Sequence, residues 1–376
     1  MHTRLFLLLG SAAVCGGLLC GCSRQKASSE NASTQPVEPK SAVFKMTHAF
    51  IIKPPEGATE IRAWLAMPQR DDPAQTVADF KVESSYPYKI VRDDQGNEYV
   101  YVEILAPSDA EIPVTQTFTI TRQEVRSEAD PENTQPLTAA EREQFAADLA
   151  PNTYVIIDDR IRSLAAGITG DEKNPVRAAR LIYDWMLENI EYWVKDPANL
   201  AASSMGSTEH CLTTKTGNCT DFHSLWASLA RASGIPTRIV YGSLAKPSLD
   251  GADHDQSYHC WPEFYAPQIG WIAHDVAVAD IYHGEFSLNE ANSSKVELTT
   301  AFGYQGPDAE LVDYYFGNLD ERRVVWNRGR DLNMLNPPQS GGPINAMPKA
   351  HVEVDGEPWN DPANWTRTLT YTEVKS

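Results

Sequence analysis

The residues best suited to chemistry lie in the segment TGNCTDFHSLWASLARASGIPTRIVYG, Thr216 to Gly242. Cys219 follows Gly217-Asn218 there, just before an apolar stripe with the i, i+3, i+4, i+7 spacing of a helix: Phe222, Leu225, Trp226 and Leu229. This spacing predicts Cys219 in the first turn of the helix, where the helix dipole and unpaired N–H groups lower a thiol pKa and can bind an oxyanion. A small residue that only fits a tight junction would give the same pattern.

A base and an orienting carboxylate are predicted from the segment SYHCWPEFYAPQIGWIAHDVAVAD, which has the pattern of two strands joined by a turn. The expected hairpin pairs Tyr265 with Trp271. Trp261 then lies opposite Asp275, and His259 is one diagonal step away, at roughly 7 to 8 Å between Cα atoms. A cysteine, a histidine and an aspartate so placed form the thiol version of a nucleophile, base and orienter triad.

These motifs resemble the transglutaminase-like superfamily, whose pattern is G-x-C, then H-x-W-x-E, then G-W and an aspartate. The sequence has GNC, HCWPE, GW and HD in that order, and YFGNLDERRVVWNRGRDL is typical of bacterial members; the likeness covers roughly Pro151 to Pro337. The resemblance implies that Cys219 is the nucleophile, His259 the base and Asp275 the group that holds the imidazole. It implies an α+β, papain-like thiol domain, in which the cysteine-bearing helix packs on an antiparallel sheet.

Two further side chains near the motif leave alternatives open. Cys260 stands where the family commonly has alanine, and whether it forms a disulfide with Cys211 is undecided; pairing would leave Cys219 as the only free thiol of the mature body. His223 lies one helical turn after Cys219 and could act as the base, but a packing or supporting role is favoured.

The sequence also contains candidate oxyanion donors and candidate metal ligands. Tyr192 and Trp193 could donate an O–H or N–H to an oxyanion, although aromatic packing explains them equally well. A zinc site is conceivable but lacks a C-x2-C pair; its ligands would be Cys211, Cys219, His259 and Cys260. A calcium site is less favoured than a solvated loop; its ligands would be Asp250, Asp253 and Asp255. No metal or cofactor is predicted.

The elements that must position these residues fall into two predicted regions. Residues 43–125 alternate as strands, with a hairpin turned at Asp94 to Asn97, and predict a small antiparallel, β-sandwich-like domain. Residues 126–376 are assigned to the transglutaminase-like domain with a C-terminal strand extension. Its helices carry start signals: a capping box joins Thr138 to Glu141, and Pro175 opens the next helix. The acidic segment RSEADPENTQP is expected to join two separately packed bodies.

The N-terminus has the pattern of an export signal. Residues 1–21 contain a positive charge, an apolar run and small residues, and Leu19-Cys20-Gly21-Cys22 resembles the lipobox of bacterial lipoproteins. The resemblance implies a lipid on Cys22, and residues 22–42 are predicted to be a disordered tether. Because Ser23 follows rather than Asp, the periplasmic face of the outer membrane is favoured over the inner membrane.

Composition excludes one class of partner. Lys and Arg number 32 against 51 Asp and Glu, a formal net charge of -19, so nucleic acid would need a basic patch that the sequence lacks. The expected partners are a protein or peptide substrate and, through the lipid, a membrane. The predicted function is an envelope-anchored thiol enzyme acting on peptide or isopeptide amides, with hydrolysis favoured over transamidation. The alternative is an inactive binding or structural module with the same fold.

Overall fold

The computed structural model describes residues 38–359, 361 and 363–375. The predicted signal peptide, Cys22 and the tether up to residue 37 therefore lie outside the described residues. Pro39–Ser376 form one compact unit. Within the described ranges, no helix has both the length and the apolar character needed to cross a membrane.

The strands of the described residues, in chain order, are β1 (Ser41–Ile52), β2 (Glu60–Ala66), β3 (Gln75–Ser84), β4 (Tyr88–Arg92), β5 (Glu98–Leu105), β6 (Ile112–Gln123), β7 (Val125–Arg126), β8 (Glu191–Tyr192), β9 (Thr216–Gly217), β10 (Thr237–Leu244), β11 (Tyr258–Ala266), β12 (Gly270–Ala273), β13 (Asn318–Leu319), β14 (Arg323–Arg328), β15 (Ala350–Val354), β16 (Glu357–Pro358) and β17 (Trp365–Glu373). The α-helices are α1 (Ala139–Gln144), α2 (Ala146–Leu149), α3 (Asp159–Thr169), α4 (Pro175–Asn189), α5 (Thr208–Thr214), α6 (Cys219–Ala232), α7 (Val276–Tyr282), α8 (Ser293–Thr299) and α9 (Ala309–Tyr314). The predicted capping box before α1 and the proline at the start of α4 are both present.

Two antiparallel sheets form a β-sandwich from the N-terminal strands and the C-terminal ones. Their strand orders are β17-β1-β6-β3 and β16-β15-β2-β5-β4. Alternate residues of β1 are buried, and the apolar core between the sheets includes Phe50, Ile61, Leu65, Val102 and Val114. The antiparallel strands predicted before residue 125 are present, but their sheets are completed by β15 to β17, which the sequence assigned to the thiol domain: β17 pairs with β1, β15 with β2, and β16 with β15.

The sandwich and the thiol domain share buried structure. One apolar cluster joins Phe44 and Phe118 of the sandwich to Val324 and Trp326 of β14. Between the same two parts, buried Asp72 binds a guanidinium from each side, at 2.5 Å in both cases, from Arg122 and Arg328. The boundary predicted between residues 125 and 126 therefore does not separate two hydrophobic cores. The sandwich packs on β14, and the two parts share buried residues there.

The thiol domain is built around α6. Every residue from Cys219 to Arg231 is buried, with the apolar stripe fully enclosed. α6 packs on the antiparallel sheet β12-β11-β10-β14 and against α3, α4 and α5. This is the α+β, papain-like arrangement that the sequence predicts.

Candidate active site

The start of α6 is fixed by a capping box. The backbone N–H of Asp221 donates to Asn218 Oδ1, and the backbone N–H of Asn218 donates to Asp221 Oδ2, both at 3.0 Å. A Cβ on Gly217 would lie 2.4 Å from the Asp221 Cβ, so glycine is the residue that fits here. Cys219 is consequently the first residue of the helix, as the spacing predicts.

The hairpin β11–β12 brings the predicted base and carboxylate together. Tyr265 pairs with Trp271, the register that the sequence predicts, and the ladder ends two residues before Asp275. Asp275 instead caps α7, where its Oδ1 accepts the backbone N–H of Val278 at 3.0 Å. Its Oδ2 lies 2.7 Å from Nε2 of His259 on β11.

Asp275 has two further buried partners. Arg323 donates from Nη1 to Oδ2 at 2.6 Å and from Nε to Asp320 at 2.8 Å, and Nε2 of His223 lies 3.4 Å from Oδ1. Burial alone would raise the pKa of the Asp275 carboxyl, but the charges of His259 and Arg323 hold it well below its ordinary value. The carboxylate is therefore ionised and fixed in orientation.

The sequence pattern of the transglutaminase-like superfamily matches residues 162–276. That range includes Cys219, His259 and Asp275. Residues 162–276 form a transglutaminase-like domain.

Individual relatives of this domain differ in length and description. An uncharacterized protein of Haemophilus influenzae is 29% identical over 240 residues, which are 58% of this chain and 60% of that protein. A protein-glutamine gamma-glutamyltransferase of Pseudomonas aeruginosa is 28% identical over 121 residues, 31% of this chain and 18% of the relative. The chain thus spans three fifths or less of the length of these relatives.

A solved structure shares the fold over most of the chain. It is described as a candidate cysteine protease from Cytophaga hutchinsonii, and it is 18% identical with a TM-score of 0.51. The alignment covers 89% of this chain and 99% of that one. The papain-like fold therefore extends to a second protein with little sequence in common.

The pKa of Cys219 is set by its neighbours in the transglutaminase-like domain. A hydrogen bond from the Cys260 thiol is the largest influence, and together with the charge and hydrogen bond of His259 it overcomes burial and lowers the Cys219 pKa well below its ordinary value. Burial and the hydrogen bond to Cys219 raise the pKa of Cys260 well above its ordinary value. Cys219 also keeps 5% of its surface exposed while Cys260 has none, so Cys219 is the more accessible of the two thiols and the one whose lowered pKa favours the thiolate.

The pKa values of the two histidines near the thiol are shifted in opposite directions. Burial would lower the pKa of His259, but the charges of Asp275 and Cys219 raise it to about 9. Burial lowers the pKa of His223 despite the nearby Asp275 carboxylate. Nδ1 of His223 lies 3.3 Å from the Sγ of Cys260. These shifts favour the imidazolium form of His259 and the neutral form of His223.

A cleft of about 430 Å³ opens at Cys219 and His259. Its other lining residues are Tyr192, Trp193, Val194, Asn218, Leu244, Gln256, Tyr258, Ser294, Lys295, Leu298 and Thr299. Burial together with the Cys219 charge raises the pKa of the Tyr192 hydroxyl well above its ordinary value. Tyr192 and Trp193, the predicted oxyanion candidates, both line this cleft.

The alternatives involving cysteines and metals can be compared with the structure. Cys211, Cys219 and Cys260 are all free thiols, so the pairing of Cys211 with Cys260 is not formed. Within the described ranges, no group of three or more His, Cys, Asp and Glu side chains is arranged to hold a metal ion. The aspartates of the loop before β11 hold β17 instead: the N–H groups of Glu373 and Leu369 donate to Asp250 and Asp253.

Sequence reasoning missed Arg323 and Tyr258. Arg323 stands directly before the apolar residues Val324, Val325 and Trp326. An arginine in a buried strand needs a carboxylate partner, and this was the signal that the sequence offered. The Tyr258 hydroxyl lies 3.0 Å from Thr220 Oγ1, and the tyrosine lines the cleft. No local pattern distinguishes Tyr258 from the other aromatic residues of its strand.

Proposed function

We propose that the protein is a thiol enzyme acting on peptide or isopeptide amide bonds through Cys219, His259 and Asp275. The observation that supports this most strongly is the environment of Cys219. Its thiol stands at a helix start, in a cleft, beside an imidazole that a buried carboxylate orients. These are the requirements of nucleophilic catalysis by a cysteine.

In the first half of the reaction, the Cys219 thiolate attacks the carbonyl carbon of the amide and a C–S bond forms. The carbonyl oxygen becomes an oxyanion, which the N–H groups at the start of α6 and the Tyr192 hydroxyl can stabilise. The His259 imidazolium gives its proton to the leaving amine as the C–N bond breaks. A thioester and a neutral imidazole remain.

In the second half, an acceptor attacks the thioester while His259 removes its proton, and the Cys219 thiolate leaves. Water gives hydrolysis, and a lysine amine gives transfer. Gln256 and Ser294 on the cleft wall are exposed, so water can approach the acyl group. This supports hydrolysis over transamidation.

The proposed location is the cell envelope. Lipidation at Cys22 would anchor the chain at the periplasmic face of the outer membrane, and the polar residues after it would let the body reach a protein or peptide substrate. A Cys22→Ala protein should lose the lipid-sized mass and leave the membrane fraction. If this variant kept both, the anchor would have to be elsewhere.

The catalytic proposal is tested with the purified full-length protein on a peptide library that includes glutamine and lysine side-chain amides. We expect cleavage that Cys219→Ala abolishes and the matched buried-thiol variant Cys211→Ala retains. Adding a primary amine separates the reaction classes by product mass. No turnover, together with no preferential alkylation of Cys219, would favour the inactive binding module instead.

A further inference from the structure

The cleft beside Cys219 carries one conspicuous cation. Among the described residues that line it, Lys295 is the only charged side chain besides the Cys219–His259 pair, and none is an aspartate or glutamate. The protein as a whole has a formal net charge of -19. The excess charge that lines the cleft beside Cys219 is therefore opposite in sign to the net charge of the protein.

The position of Lys295 is fixed by the fold. It lies on α8, which buried Asn292 ties to the segment after Tyr192 by donating from Nδ2 to the backbone carbonyl of Lys195 at 2.8 Å. Val296, the next residue, is buried. This arrangement places the Lys295 ammonium 5.9 Å from the centre of the Trp193 ring, on the cleft wall. The backbone that carries Lys295 is therefore held in place before a ligand binds.

Lys295 differs from neighbouring lysines in lacking a carboxylate partner. Lys195 pairs with buried Asp280 at 2.8 Å, and Lys246 lies 4.0 Å from Glu297. Among the described residues, Lys295 has no ion pair, and its ammonium donates to the backbone carbonyl of Ala291 at 3.2 Å. Its charge therefore remains available to a ligand.

We propose that Lys295 recognises a carboxylate of the substrate close to the bond that is broken, so that the preferred substrates are acidic peptides. This rests on the proposed function, because the carboxylate must enter the same cleft as the scissile amide. Val194, Leu244 and Leu298 line the cleft as well, and apolar neighbours strengthen an ion pair relative to one in bulk water. The carboxylate can belong to an acidic side chain or to a chain terminus.

The first test compares alkylation of Cys219 by iodoacetate, which carries a carboxylate, and by neutral iodoacetamide. Lys295→Gln should lower the rate with iodoacetate relative to the rate with iodoacetamide roughly three- to tenfold. This is the effect of losing one partly screened ion pair. The matched control is Lys215→Gln, since Lys215 also lies over a tryptophan, Trp185 at 5.5 Å, but is not in the cleft. An unchanged ratio in Lys295→Gln overturns the inference. A wild-type Cys219 that reacts with neither reagent contradicts the proposed function instead.

The second test identifies the source of the carboxylate with paired peptides. One pair exchanges Asp for Asn beside the scissile bond, and the other exchanges a C-terminal carboxylate for an amide. Wild type should favour the acidic member of one pair in kcat/KM roughly three- to tenfold, and Lys295→Glu should reverse that preference. Equal turnover of both members in both pairs, or an acidic preference that persists in Lys295→Glu, overturns the inference.

Discussion

Arg323 and His259 bind the same oxygen of Asp275. Nη1 of Arg323 lies 2.6 Å and Nε2 of His259 lies 2.7 Å from Oδ2. The three side chains are almost completely buried, so the carboxylate is held between a permanent cation and the imidazole with little access to water. Arg323 is therefore a positioning residue for Asp275, and through Asp275 for His259.

Arg323→Gln should destabilise the protein by about 3 to 5 kcal/mol, because it leaves Asp275 and Asp320 buried without their shared cation. Urea unfolding gives this free energy. The matched control is the neighbouring Arg322→Gln, whose pair with Glu373 is partly exposed at 17% and 21%; its loss should be about 1 kcal/mol or less. Equal losses in the two variants would mean that Asp275 does not depend on Arg323.

The second prediction concerns the pH range in which Cys219 is reactive. The lowered pKa of Cys219 and the raised pKa of His259, about 9, define a window in which thiolate and imidazolium coexist. Alkylation should therefore stay fast well below pH 8. Cys260→Ala removes the hydrogen bond to the Cys219 thiolate. Its loss destabilises the charged form and raises the pKa of Cys219, so the acid limb of the rate profile should shift to higher pH.

The control for this shift is Cys211→Ala, which removes a buried thiol on α5 and should leave the profile unchanged. The measurement is the rate of iodoacetamide labelling against pH, with the labelled cysteine identified by mass spectrometry. If Cys260→Ala and wild type have the same acid limb, Cys260 does not stabilise the thiolate.

The third prediction concerns acid stability and the loop before β11. His254 is fully buried, and its backbone N–H donates to the Leu369 carbonyl of β17 at 2.7 Å. Burial, reinforced by the charge of Arg367, lowers the pKa of its imidazole to about 4. Between this value and about 6.5 the unfolded chain binds more protons than the folded one, so stability falls as the pH falls through this window, by about 3 kcal/mol.

His254→Gln should therefore flatten the dependence of unfolding free energy on pH between 4 and 6.5. His210→Gln, on α5, should keep the wild-type slope. Chemical denaturation at several pH values gives both slopes. An undiminished slope in His254→Gln would show that other groups, such as His48, account for the acid sensitivity.

Much of the local structure was accessible from the sequence because it depends on residues close together in the chain. The Thr138 capping box, the Pro175 helix start and the placement of Cys219 follow from neighbours within one helical turn. The pairing of Tyr265 with Trp271 follows from a short turn and alternating burial. Such features predicted which side chains would meet around the thiol.

The remaining features depend on distant parts of the chain. Arg323 meets Asp275 across 48 positions, and β17 pairs with β1 across the whole described unit. Neither contact leaves a periodic pattern in the sequence. The C-terminal strands were therefore assigned to the transglutaminase-like domain, although they pair with strands of the sandwich. For the same reason, the acidic segment RSEADPENTQP was expected only to join two separately packed bodies. In the structure it is bonded to the rest of the fold: the N–H of Ser127 donates to the Gly317 carbonyl, and the side-chain amide of Asn174 donates to the Pro131 carbonyl.

The last prediction tests whether the turn before α6 sets the position of the thiol. Gly217→Ala places a Cβ 2.4 Å from the Asp221 Cβ, so the capping box must shift. Crowding and a weakened cap should cost about 1 to 3 kcal/mol. Alkylation of Cys219 should slow as well, since the first N–H groups of α6 move with the cap.

The matched control is Gly167→Ala in α3, where an added Cβ meets nothing within 4 Å. Alanine inside a helix is favoured over glycine, so this variant should gain roughly 0.5 to 1 kcal/mol and label at the wild-type rate. Thermal unfolding and the rate of iodoacetamide labelling are measured on both proteins. A Gly217→Ala protein that is destabilised but is labelled at the normal rate would mean that Cys219 owes its reactivity to Cys260 and His259 alone. Slower labelling at pH values above the acid limb would assign part of that reactivity to the geometry of the helix start.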